Sequence, residues 1–159
     1  MPTGIMIKLA SLILLTLAWT GCATDDLLSR FHRVDKKAGG FTKHYSESLF
    51  LITAKGHFSV ELLLPRGSSK GENRFYLIVH DWDDKDVPGA DVSALVRSAG
   101  GIGAEAKVIV TDEGGGLYRG KASVPDNVGK WELFIKITKD GITDSAIFLI
   151  SGGQQGKTK

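Results

Sequence analysis

Residues 130–151, KWELFIKITKDGITDSAIFLIS, carry the reading that decides the fold. Trp131, Leu133, Ile135 and Ile137 alternate with Glu132, Phe134, Lys136 and Thr138. A period of two sets one face of an extended strand against a core and leaves the other face wetter. The triplet KDG at 139–141 ends that run, and Asp-Gly between alternating segments is a strong hairpin signal. Residues 142–151 then return as the partner strand.

The same signature recurs toward the N-terminus. Phe58, Val60, Leu62 and Leu64 alternate with Ser59, Glu61 and Leu63, and Phe75, Leu77 and Val79 alternate with Tyr76, Ile78 and His80. Val92, Ala94 and Val96 follow, then Val108 and Val110, then a weaker strand over 118–124. The breaks PRGSSKGEN, DVPGAD and DEGGG are rich in residues that accept or preset turn conformations. About seven short strands with turns roughly every ten residues predict an all-β fold, an immunoglobulin-like β-sandwich. The predicted core holds Phe75, Leu77, Val79, Val92, Val108, Tyr118, Trp131, Leu133 and Ile135. Tyr118 reads as a tyrosine corner, its hydroxyl bonded to nearby backbone, and Trp131 as a core plug.

Composition bounds the rest. The chain has 159 residues, 42% of them hydrophobic, which suits one modest domain. Twenty Lys and Arg against eighteen Asp and Glu leave a net charge of +2, so there is no basic footprint for nucleic acid.

The N-terminus reads as an address. Lys8 precedes the apolar run LASLILLTL at 9–17, which is too short for the ~20 residues of a bilayer span. The tetrad Trp19, Thr20, Gly21, Cys22 resembles the lipobox of bacterial lipoproteins, in which the cysteine is acylated and becomes the first mature residue. Trp19 departs from the aliphatic residue usual at its position. Cys22 is the single cysteine, so no internal disulfide accounts for it. By the same resemblance, Ala23 after the cysteine favours the outer membrane. The expected organisation is a lipoprotein signal peptide at 1–21 and a lipid-anchored, flexible tether at 22–47 with a short helix near 27–34. The sandwich domain follows at 48–151 and a disordered tail at 152–159.

Candidate chemistry is sparse. His80 and Asp81 end a strand, and Asp83, Asp84 and Asp86 follow closely, so His80, Asp81 and Asp83 are the candidate metal ligands. Dense carboxylates suit calcium, but Lys85 breaks the spacing of an EF-hand loop. An acidic, solvated turn is the competing reading. The histidines at 32, 44, 57 and 80 show no ligand spacing, and joining His57 to His80 requires two strands to meet at that level. GGIG at 100–103 lacks the spacing and strand-to-helix context of a phosphate loop. With no Gly-x-Ser-x-Gly elbow and no nucleophile set beside a histidine base, no catalytic residue is assigned and a non-enzyme is expected.

Four segments in order then resemble the FixH/YtkA-like family of bacterial immunoglobulin-like domains. They are FSVELLLP, ENRFYLIVHDWDDKDVPGADVSALV, GGGLYRGKASVP and NVGKWELFIKITKDG, which together span most of 58–150. The resemblance implies an exported or membrane-tethered sandwich, often near metal handling or respiratory complexes. Many members carry a Met- or His-bearing loop suited to copper. The corresponding stretch here, SAGGIGAEA at 98–106, has neither, and the only methionines are Met1 and Met6. The leading expectation is therefore a lipid-anchored, non-catalytic binding or assembly module that engages another envelope protein and needs no cofactor. A periplasmic metal-handling protein that takes copper or calcium is the alternative, and a structural spacer a third.

Overall fold

The structure, a computed structural model, describes residues 31–65, 71–99, 105–124 and 130–151. The expected signal peptide at 1–21, Cys22, the GGIG stretch at 100–103 and the expected tail at 152–159 lie outside the described residues. Among the described residues ten strands run in chain order: β1 (Arg33–Ala38), β2 (Phe41–Tyr45), β3 (Leu49–Ile52), β4 (Phe58–Leu63), β5 (Gly71–Asp81), β6 (Asp91–Ser98), β7 (Ala106–Gly114), β8 (Leu117–Val124), β9 (Lys130–Lys139) and β10 (Ile142–Ser151). There is no helix among the described residues. The chain is all-β, a sandwich of antiparallel sheets approaching a barrel, as the alternation predicts.

The expected strand count of seven is corrected to ten, and the three additional strands all precede residue 53. Part of the expected 22–47 tether is thus a folded hairpin, and Arg33 and Val34, at the end of the expected short helix, open β1. The physical reason is visible at the turn. Gly39 and Gly40 both have positive φ, 60° and 91°, the sign pattern of a two-residue type I′ hairpin loop. Ala38 pairs with Phe41 across it. Asp140 and Gly141 repeat that device between β9 and β10, with φ of 49° and 79°.

The strand order is β10-β9-β6-β7-β8-β5-β4-β3, every pair antiparallel. β7 passes between the layers. Its first residues, Ala106 to Val108, pair with Val96 to Ala94 of β6, whereas Ile109 to Gly114 pair with β8. One layer is therefore β3-β4-β5-β8 with the end of β7, and the other is the start of β7 with β6-β9-β10. Phe58, Val60, Leu62, Phe75, Leu77 and Val79 from the first face Val96, Leu133, Ile135, Ile137 and Phe148 from the second in one core. Each fully buried side chain of this kind contributes about 1.5–3 kcal/mol of transfer free energy. Phe75 lies opposite Gly120, and a Cβ built there would stand 2.1 Å from the Phe75 ring. The ring occupies the space a side chain at 120 would need.

All six residues of β4 are buried. Alternate residues of a strand point to opposite faces, so a strand buried throughout must be covered on both. Phe58, Val60 and Leu62 join the core, while Ser59, Glu61 and Leu63 point outward, as do Tyr76, Ile78 and His80 of β5. The expectation of a wetter side at Ser59 and Glu61 is corrected. Phe41 and Thr42 of the β1–β2 hairpin are buried, and the hairpin packs against this outer face as a partial third layer. Asp84 clasps it from the β5–β6 loop. The Thr42 backbone N–H donates to Asp84 Oδ1 at 2.8 Å, the Thr42 hydroxyl donates to Oδ2, and Lys37 Nζ stands 3.0 Å away. Burial works to raise the Asp84 pKa, but the Thr42 hydrogen bonds and Lys37 outweigh it and hold the carboxyl at about 2.

Candidate functional site

Two features stand out on this frame: a polar cluster beneath the hairpin and a cleft at one end of the sandwich. The cluster is built from Glu61 on β4, His80 on β5 and His44 on β2. Glu61 Oε1 accepts from the His44 backbone N–H and from His44 Nδ1 at 2.9 Å. Its Oε2 accepts from the Tyr45 N–H at 3.0 Å and the Ser48 hydroxyl at 2.6 Å. A carboxylate with no exposed surface is sustained by these four donors. The His44 and His80 rings stack at 4.4 Å between centroids with a 31° tilt.

His80 is the unsatisfied member. It is 3% exposed, and neither Nδ1 nor Nε2 has a hydrogen-bond partner. Asp86 Oδ1 comes within 3.2 Å of Nδ1 but out of hydrogen-bond alignment, so proximity there is not a bond. Burial, and then the neighbouring His44, push the His80 pKa down against the opposing carboxylates of Asp86, Glu61 and Asp84.

The ligand set expected from the sequence does not converge. His80 and Asp81 are successive strand residues and point to opposite faces. Asp81 Oδ1 accepts from the backbone N–H groups of Asp83 at 2.9 Å and Lys85 at 3.0 Å, which caps the turn after β5. The Asp83 carboxylate is exposed beside Lys85. His57 does not reach His80 either; its Nδ1 lies 3.4 Å from Asp144. What gathers instead, within 4.8 Å among the described residues, is one ligand atom each from His44, Glu61 and His80. His44 and Glu61 were missed because they are remote in sequence and meet only when the hairpin folds onto the sheet. The Gly39–Gly40 pair is the one local signal that could have shown that hairpin.

The second feature is a cleft of about 560 Å³ between the 53–57 turn, the 82–90 loop and the β9–β10 turn. Its apolar lining comes from Phe58, Trp82, Val87, Pro88 and Ile142, with Asp81, Asp86 and Asp140 among the polar groups. Trp82 is 75% exposed. Two of the three walls, the 82–90 loop and the 53–57 turn, are pinned by side chains of neighbouring strands. The buried Tyr118 hydroxyl donates to the Val87 carbonyl at 2.7 Å and accepts from the Ala90 N–H at 2.9 Å. Asp112 accepts from the Gly89 N–H at 2.9 Å. Buried Asp144 accepts from the Thr53 hydroxyl at 2.6 Å, the Lys55 N–H at 3.0 Å and the His57 N–H at 3.2 Å. Burial works to raise its pKa, yet these donors hold the Asp144 carboxyl at about 2. Trp131 is buried at the opposite end of β9, remote from the cleft.

No protein-family model matches the chain, and no curated protein does. Among solved structures, the chain is similar to a DUF4785 family protein of Legionella pneumophila at 17% identity and a TM-score of 0.46. The match covers 60% of this chain and 29% of that one.

Proposed function

We propose that this chain is a lipid-anchored protein of the bacterial cell envelope, acylated at Cys22 and held at the outer membrane facing the periplasm. Its immunoglobulin-like, FixH/YtkA-like domain serves as a non-catalytic binding or assembly module for another envelope protein. The address rests on the apolar run at 9–17 and the Trp-Thr-Gly-Cys tetrad. The binding role rests on one observation: Trp82 stands largely exposed at an apolar cleft, two of whose three walls, the 82–90 loop and the 53–57 turn, are fixed by hydrogen bonds to Tyr118, Asp112 and Asp144. A large exposed indole beside a pre-formed cleft is the composition of a binding hot spot, and fixed loops lose little entropy on association. The Asp81, Asp86 and Asp140 carboxylates outnumber the single lysine, Lys139, in the lining and favour a partner segment that brings an apolar side chain together with a basic one.

A photo-crosslinking amino acid placed at position 82 of the anchored chain in intact cells tests this. One at exposed Ile109, on β7, is the control. A single reproducible protein adduct from 82 and none from 109 supports the cleft. Equal labelling from both positions, or no adduct from 82, rejects it.

A further inference from the structure

We propose that His44, Glu61 and His80 form a binding site for a divalent transition-metal ion of the zinc class, which staples the β1–β2 hairpin to the outer face of the sheet. The first support is His80 itself. A buried imidazole with both nitrogens unbonded is costly, and such a group in a folded chain is met by a bound water or an ion. The second is convergence. One atom from each of the three side chains lies within 4.8 Å of the others, and His44 Nδ1 is already 2.9 Å from Glu61 Oε1. Tetrahedral zinc with bonds of about 2.0–2.1 Å spaces its ligand atoms roughly 3.3 Å apart, so side-chain adjustments complete the geometry.

The donor set selects the metal. Two imidazoles and a carboxylate suit zinc and its first-row neighbours, whereas calcium takes six to eight oxygens. Soft cuprous copper favours thioethers or thiolates, and both methionines lie at positions 1 and 6, far from this cluster in sequence. The surroundings fit as well. Asp86 Oδ1 lies 3.2 Å from His80 Nδ1 without yet being aligned as a hydrogen bond, and Asp35 Oδ1 stands 4.0 Å from His44 Nε2, so a carboxylate is near each ring. A ligating histidine commonly gives its other ring N–H to a carboxylate, which fixes tautomer and orientation. On binding, the His44 proton moves from Nδ1 to Nε2, facing Asp35, and the ion takes the place of that proton between His44 and Glu61. Three protein ligands leave one position for water.

The three ligands come from three strands, so binding free energy becomes folding free energy for the hairpin. The test uses the full chain in detergent micelles, without an affinity tag, stripped with a chelator and titrated with zinc chloride by calorimetry and thermal melting. The expected result is one ion per chain with a Kd below about 1 µM, and a melting midpoint that rises with zinc concentration. His80→Asn and His44→Gln each weaken binding at least thirtyfold, while His57→Gln, outside the cluster, leaves it unchanged. Calcium chloride produces no shift. His44 sits on the hairpin rather than in the sandwich core, so His44→Gln keeps the test decisive where His80→Asn fails to fold. Wild-type binding weaker than about 1 µM, or tight binding that survives His44→Gln, overturns the proposal.

Discussion

At the residue scale, isolated polar side chains fix two of the three walls of the cleft. Asp144 is the clearest case, its carboxyl held at about 2 against an ordinary 3.8. A carboxylate with a depressed folded-state pKa adds stability that is fully present above its unfolded value and lost as the pH falls through the folded one. Asp144 therefore contributes about 2 kcal/mol at neutral pH, and that contribution fades between about pH 4 and pH 2. Urea unfolding of Asp144→Asn should show a loss of this order at pH 7 and convergence with the wild type near pH 2. A gap that persists unchanged in acid would assign the effect to packing instead. Gly120→Ala drives a methyl group into the Phe75 ring, and a loss of about 1–3 kcal/mol is expected in the same assay. Tyr118 and Trp131 could be picked from the sequence because a large aromatic on an alternating strand has few places to go but inward, and both are buried. His44 could not, since its significance depends on a contact that no local pattern encodes.

At the element scale, a period of two was legible in β4, β5 and β9, whether or not the outer face of the strand is wet. β9 and β10 alternate in burial, although the AIFLI run of β10 is continuously apolar in sequence. β4 is covered on both sides, yet its apolar residues still marked it as a strand; what the pattern hid was the outward burial of Ser59 and Glu61. β3 is a continuous apolar run, and β1 and β2 are short and charged, so none of the three shows a period. The hairpin is held by side chains that accept from its backbone: Asp84 from Thr42, and Glu61 from His44 and Tyr45. Asp84→Ala removes the clasp that fixes Thr42 and frees Lys37. Amide exchange over 41–45 should accelerate at least tenfold in that variant, with β9 and β10 unchanged, because local opening is set by local contacts. Uniform acceleration across the domain would show that the hairpin and sandwich open as one unit.

At the scale of the whole molecule, β7 joins the two layers by pairing with β6 in its first part and β8 in its second. The loop end of the sandwich then gathers the 53–57, 82–90 and 139–142 segments around the cleft. This assembly was not legible in the sequence, which marked 80–86 as a candidate metal site or an acidic turn and left Trp82 without a role. The address is a separate matter of sequence alone. Cys22→Ser should move the protein from the membrane pellet to the soluble periplasmic fraction, read by fractionation and by the mass of the mature N-terminus. A membrane-bound serine variant would assign the anchoring to something other than acylation. The binding role is tested most directly by the affinity of the protein crosslinked at position 82, measured side by side for the wild type and Trp82→Ala. The account predicts binding at least tenfold weaker for Trp82→Ala with an unaltered melting midpoint, since the exposed indole supports association and not folding. Equal affinities would contradict it.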